Sequence, residues 1–264
     1  MSEGFCPNHS PEYYEEFLRE MEFTKPFRKR LYEEIGLKDA RRVLEVGCRK
    51  GILSKELRSE TEAQIAAIDS NHINIADASE LVKGVEFFRE TADKLSMRDD
   101  SFDIVFCHYF FLWKPKPFGT LMELRRVCKK GGYVVALAEP DYLGWIENPD
   151  LGLGNYHKLT IEQHGGDPSV GRKLLSIFSS GGLETSIHVN TRIWLHEELE
   201  GCIEKEWTNI FNVGLISEDE YKNKIEEEKK LIADKLRVIA FPVFTAVGKK
   251  VKLLEETIDP YDDY

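Results

Sequence analysis

The segment Val43-Leu44-Glu45-Val46-Gly47-Cys48-Arg49-Lys50-Gly51-Ile52-Leu53 is where residue types and spacing first suggest chemistry. An apolar run that reads as a strand enters a glycine turn and then a helix start. Glycine has no Cβ, so a ligand can approach such a turn closely. The helix start adds backbone N–H donors and a field that favours a carboxylate or phosphate. The next apolar run, Ile65-Ala66-Ala67-Ile68, ends in Asp69, which lies 69 − 47 = 22 residues after Gly47. An acidic side chain there can accept both ribose hydroxyls of an adenosine. A dinucleotide fingerprint counted from Gly47 needs glycine at 49 and 52, where this chain has Arg49 and Ile52. Glu45 also disfavours a nearby pyrophosphate and suits a ligand that carries an ammonium group.

These residues need a scaffold, and the chain spells one out. Short apolar runs at 43–46, 65–68, 85–88, 102–107 and 133–138 alternate with amphipathic helical stretches at 51–58, 72–82 and 118–130. Continuous apolar strands alternating with helices predict a parallel sheet covered on both faces, wound by right-handed crossovers. In such a sheet ligands bind beyond the carboxyl ends of the strands, at the switch point. Residues 10–40 read as helical, with a start at Ser10-Pro11-Glu12, an interruption at Pro26 and a stop at Gly36. Residues 140–168 read as a long loop carrying one helix. A helix is expected over 169–180, a strand over 185–195, charged helix over 197–236 and a final strand over 242–250. The acidic tail 255–264 is expected to fray.

The chain has 264 residues, with 36 Lys and Arg against 47 Asp and Glu, a net charge of −11. That balance argues against a protein whose affinity rests on neutralising nucleic-acid phosphates. No run approaches the ~20 apolar residues of a membrane-spanning helix. The start, Met1 to Pro7, lacks the basic and apolar regions of a signal peptide. The five cysteines, at 6, 48, 107, 128 and 202, are scattered and odd in number, which fits reduced thiols. A cytoplasmic protein with no membrane partner is therefore expected. Without a CxxC or an HxxxH pair, no metal site is expected. His157 and His164 are expected at the surface.

Taken in order, these motifs resemble the class I S-adenosylmethionine-dependent methyltransferases, in the manner of type 11-like small-molecule enzymes. Glu45-Val46-Gly47-Cys48-Arg49-Lys50-Gly51 is similar to their first motif, with Arg49 in place of the middle glycine. Asp69 resembles their ribose-binding acid. Thr91-Ala92-Asp93-Lys94-Leu95 resembles the segment whose acid contacts the adenine amino group. Phe102 to His108 resembles strand four, and Leu124 to Gly132 the helix and turn before strand five. The resemblance implies one methyltransferase domain over 1–264. Its fold would be a doubly wound, seven-stranded, mostly parallel Rossmann-like sheet with an antiparallel last strand and helical cap insertions. The cofactor core would be 41–140, the N-terminal helical cap 10–40, and further cap insertions 140–168 and 197–236.

The same resemblance implies S-adenosyl-L-methionine as cofactor and S-adenosyl-L-homocysteine as product. It places Tyr14, Glu45, Gly47, Cys48, Gly51, Asp69, Ser70, Ala92, Asp93 and Cys107 at the cofactor. His108, Tyr109 and Glu139, at the ends of strands four and five, are the candidate catalytic residues. Trp113, Tyr142 and Trp145 are the candidate acceptor contacts. The expected chemistry is in-line methyl transfer to a small-molecule acceptor, with a base needed only if that acceptor must lose a proton. Three alternatives stay open: a protein side-chain methyltransferase, an NAD-type Rossmann enzyme, and a non-catalytic S-adenosylmethionine-binding regulator.

Overall fold

The computed structural model describes residues 11–251, without the side chains of residues 11–17, 19 and 20. The tail at 255–264, expected to fray, lies outside the described residues, and so does the Tyr14 side chain, expected at the cofactor.

The apolar runs form parallel strands. They are β1 (Arg42–Val46), β2 (Gln64–Asp69), β3 (Val85–Arg89), β4 (Phe102–His108) and β5 (Cys128–Pro140). Helices α2 (Ile52–Glu60), α3 (His72–Leu81) and α4 (Pro117–Val127) cross between them. The sheet order is β3-β2-β1-β4-β5-β8-β6, with β7 also paired to β8. Strand β8 (Val238–Lys249) runs antiparallel to β5, to β7 (Glu184–Leu195) and to β6 (Ile146–Asn148). The Rossmann-like fold expected from the sequence is thus present, with an eighth strand. Strand β6 forms inside the segment read as loop, because β8 begins at Val238 and offers Ala240, Ile239 and Val238 as partners for Ile146, Glu147 and Asn148.

Each central strand buries both faces, as its unbroken apolar run requires. Val43, Ile65, Phe106 and Val135 pack against α1 (Pro11–Glu34) and α2. Leu44, Ile68, Val105 and Ala136 pack against α4 and α6 (Val170–Ser180). Pro26 was expected to interrupt the first helix, but α1 runs through it. Docking holds the two halves in line. Two residues beyond the proline, buried Arg28 donates to Glu56 Oε1 and Oε2 of α2 at 2.8 and 2.5 Å. Tyr32 adds a bond to the same carboxylate at 2.8 Å.

A third core lies at the carboxyl ends of β4 and β5 and the amino end of β8. It joins Tyr109, Ala138 and Phe241 to α5 (Leu153–Gln163), α7 (His196–Asn212) and α8 (Glu218–Ala233). The charged stretch 197–236, read as helical, is an antiparallel helix pair. Gly214, at φ +77°, turns the chain, and the Ser217 hydroxyl caps α8. The outer face of α8 is solvated as expected. Its inner face buries Ile225, Ile232 and an ion cluster in which Arg237, Glu228 and Glu147 are all buried.

Candidate active site

The strand register aligns the chemistry. Val46 of β1 pairs with Ile68 of β2 and Cys107 of β4, and His108 pairs with Leu137 of β5. The next residues along each strand therefore share one edge of the sheet: Gly47, Asp69, His108 and the Ala138–Glu139 bend. Strand β1 lies between β2 and β4, so the chain leaves β1 for one side of the sheet and later returns on the other. This edge is the topological switch point, where open α/β sheets bind ligands.

The turn after β1 is tightly specified. Gly47 has φ +76°, and a Cβ there would come within 2.8 Å of the Phe110 ring. Gly51 has φ +78°, and its Cβ would sit 3.1 Å from Ala78 Cβ, so glycine here lets α2 approach α3. Both positions need a conformation that L side chains rarely adopt.

Asp69 holds this turn from the neighbouring strand. Its Oδ2 accepts the Arg49 N–H at 2.9 Å and its Oδ1 accepts the Asn71 N–H at 2.9 Å. A carboxylate offers roughly four lone-pair sites. Two backbone bonds fix its orientation and leave acceptor capacity on both oxygens, which is what a pair of ribose hydroxyls requires. Ser70 is exposed beside it, its carbonyl accepting Arg89 Nε at 3.1 Å. Asp93 lies on the loop after β3 with a side chain 65% exposed, where Thr120 Oγ1 donates to it at 2.5 Å. Ala92 is buried next to it.

Glu45 is buried, and its carboxyl accepts a hydrogen bond from Ser54. Burial pushes its pKa up to about 8, with the Ser54 bond opposing and Asp69 reinforcing the shift. It is therefore largely protonated at pH 7. An ammonium ligand would bind there with loss of that proton rather than to a standing charge. With the folded pKa at about 8 and the ordinary carboxyl value at 4.5, the protonated group stabilises the fold below pH 4.5, and that stability is lost as pH rises through 8. Glu45→Gln keeps the acceptor for Ser54 and removes the titration. Its stability relative to the native chain should therefore climb between pH 5 and pH 9, by roughly 4 kcal/mol. Parallel thermal melts across that range measure this, and parallel curves for the two proteins would contradict it.

The thiols are packing groups. Burial raises the pKa of Cys48 and Cys107 far above the usual thiol range. Cys107 Sγ rests 3.7 Å from the Val135 carbonyl inside the sheet. Its side chain thus faces the core, and only its backbone reaches the ligand edge.

The three candidate catalytic residues come together, in different roles. His108 is buried, its ring 5.2 Å from that of Tyr109. Burial first, and then the Arg28 and Arg49 cations, hold its imidazole well below the usual range, so it is neutral at pH 7. Tyr109 takes a left-handed backbone at φ 49° and sends its ring into the third core. Glu139 is fully buried and turned by the β5 irregularity at Ala138, which has φ 53°. Its Oε1 accepts the Phe110 N–H at 2.7 Å and its Oε2 the Leu112 N–H at 3.1 Å. Burial raises its pKa to about 7, against the opposing backbone bonds and Arg49. Both Glu139 oxygens thus engage the backbone of the loop after β4.

Of the candidate acceptor residues, Trp113 and Tyr142 pack against the same core cluster, and Tyr142 stacks on Trp145. Trp113 packs beside Gly166, whose Cβ would lie 3.1 Å from its ring. Tyr142 and Trp145 stack on Phe241 at ring-centroid distances of 5.7 and 5.2 Å. His157, expected at the surface, is only 15% exposed and sits 3.4 Å from the buried Glu206 carboxylate. The rings of Tyr142 and Trp145, a short way upstream in the chain, lie 5.8 and 5.2 Å from its own. Phe110 was not singled out from the sequence, yet it fills the space over Gly47. The aromatic run from His108 to Trp113 was its signal. Among the described residues no group of three or more His, Cys, Asp or Glu is placed to hold a metal ion. Among them, too, no helix is long and apolar enough to cross a membrane.

Comparison with known proteins agrees with this geometry. A family model described as a methyltransferase domain matches residues 44–136, from β1 into β5. The chain is 33% identical over 168 residues to a phosphatidylethanolamine N-methyltransferase of Cereibacter sphaeroides, covering 57% of this chain and 80% of that protein. It is 32% identical over 108 residues to a sterol 24-C-methyltransferase of Gibberella zeae, covering 39% of this chain but only 28% of that longer protein. In fold it is similar to phosphoethanolamine N-methyltransferase 2 of Haemonchus contortus, solved with phosphomonomethylethanolamine and S-adenosylhomocysteine. That match has a TM-score of 0.55 at 17% identity, over 90% of this chain and 58% of the other. With the glycine turn, the acid that ends β2, the sheet order and the Cereibacter relative all in agreement, the chain belongs to the class I methyltransferase family.

Proposed function

We propose that the protein is an S-adenosylmethionine-dependent methyltransferase that acts on a small-molecule acceptor. The observation that carries this reading is Asp69, oriented by two backbone N–H bonds beside the Gly47–Gly51 turn at the switch point. The donor set fits an adenosine: a fixed carboxylate with spare acceptor capacity, and backbone that a ligand can approach. When bound, S-adenosylmethionine supplies a methyl group on a sulfonium, a leaving group that needs no metal or acid.

The chain's own residues then have defined tasks. Asp69 and the turn after β1 orient the ligand. Glu139 fixes the loop at 110–112, so the aromatic residues after β4 hold one position. His108 stays neutral, so its ring can hydrogen-bond an acceptor hydroxyl, while burial and the Arg28 and Arg49 cations oppose its taking the proton. The third core, packed on Tyr109 and Ala138, supports exclusion of water from this edge. A small or lipid-like acceptor is supported by the names of the two relatives, and the net charge of −11 disfavours nucleic acid.

The test is incubation with methyl-labelled S-adenosylmethionine and a panel of amines, phenols, sterols and phospholipid vesicles. Label in a small-molecule product, with matching release of S-adenosylhomocysteine, is the expected result. Label only in added proteins would favour the side-chain alternative, and no transfer to any acceptor would favour a regulator.

A further inference from the structure

We infer that Arg49 is the specificity-determining anchor for the carboxylate of the cofactor's amino-acid end. This rests on the S-adenosyl reading of the site and goes beyond it, because the resembling motif has glycine at this position. Arg49 adopts a left-handed backbone at φ 49°. A non-glycine residue held there is strained, and glycine would avoid that strain. The chain nonetheless keeps a long cationic side chain at this point.

Its placement supplies the reason. The Arg49 N–H is bonded to Asp69, while its Nη2 donates to the Tyr109 carbonyl at 3.2 Å. The side chain thus spans the crevice from the β1 turn to the end of β4. Its charge also reaches His108 and Glu139 on the far wall. With ribose on Asp69 and adenine toward Asp93, the adenosine lies over β2 and β3. In the order β3-β2-β1-β4-β5 the rest of the ligand must then extend over β1 and β4, where Arg49 stands. A guanidinium presents its donors in a rigid fork that matches a carboxylate with two parallel bonds. The contact with Tyr109 fixes the fork in place before the ligand arrives.

The experiment is calorimetric titration of the native protein, Arg49→Gly and Arg49→Lys with two ligands. S-adenosylhomocysteine carries the amino-acid end, and 5′-methylthioadenosine lacks it. Arg49→Gly should bind S-adenosylhomocysteine roughly 10- to 100-fold more weakly. Its 5′-methylthioadenosine affinity should stay within about twofold, and its thermal midpoint should not fall, because glycine suits this backbone. Arg49→Lys should be intermediate for S-adenosylhomocysteine. Unchanged or tighter S-adenosylhomocysteine binding by Arg49→Gly would overturn the assignment, as would equal loss of both ligands. Those outcomes leave the S-adenosyl reading standing, provided the native protein binds both ligands. A native protein that binds neither would overturn both.

Discussion

Asp69→Ala is expected to weaken S-adenosylhomocysteine binding by roughly two orders of magnitude. The Asp69 side chain is the one proposed to accept the ribose hydroxyls, and hydrogen bonds to a charged group contribute about 1.5–3 kcal/mol each. Two such bonds could account for more than a hundredfold. Some of the loss is offset because the hydroxyls return to water when the carboxylate is absent. The substitution also removes the acceptor from the Arg49 and Asn71 N–H groups, which loosens the turn after β1 and the start of α3. Asp69→Asn separates the two effects. It keeps one carbonyl acceptor and the side-chain volume, so it should fall between native and alanine in affinity while melting close to the native protein. Calorimetry and thermal melts on the three proteins check this. Native-like affinity in Asp69→Ala would remove the ribose role.

The second large effect is on stability. Arg237 is fully buried, donating Nε to Glu228 Oε2 at 2.8 Å and Nη2 to Glu147 Oε2 at 2.5 Å. Its Nη1 donates to the Pro149 carbonyl, and Trp207 Nε1 donates to Glu228 Oε1 at 3.1 Å. One cation therefore serves two buried carboxylates and ties β6, α8 and β8 together. Arg237→Ala leaves both carboxylates without it, at a cost of about 3–5 kcal/mol. In a protein of this size that lowers the thermal midpoint by roughly 10 °C. Adding Glu228→Gln and Glu147→Gln to Arg237→Ala should recover part of the loss, since uncompensated charge causes most of it. A single variant melting within ~2 °C of native, or no recovery in the triple variant, would contradict this account.

What the sequence made legible was local. Strands β1, β2, β4 and β5 could be read because each is an apolar run buried on both faces, and such runs leave little choice of structure, while β3, at the sheet edge and only half-buried, was legible from its short apolar run alone. The Gly47–Gly51 turn could be read because only glycine fits its backbone so closely. Asp69 followed from its place at the end of the next strand. What stayed hidden depends on long-range contacts. Strand β6 exists only because β8 starts early enough to pair with it. Helix α1 crosses Pro26 because Arg28 and Tyr32 dock on Glu56, a residue of α2. His157 lies beside the rings of Tyr142 and Trp145 and faces a carboxylate from α7. The position of Glu139 was legible, but its hold on the 110–112 backbone was not, because that needs the bend at Ala138.

The measurement that bears most directly on the central claim is calorimetric titration of the native protein with S-adenosylhomocysteine, with NAD in parallel. The site described here predicts micromolar, one-to-one binding of S-adenosylhomocysteine and no heat of binding with NAD. Binding of NAD alone would contradict it, and so would a protein free of copurified ligand that binds neither molecule.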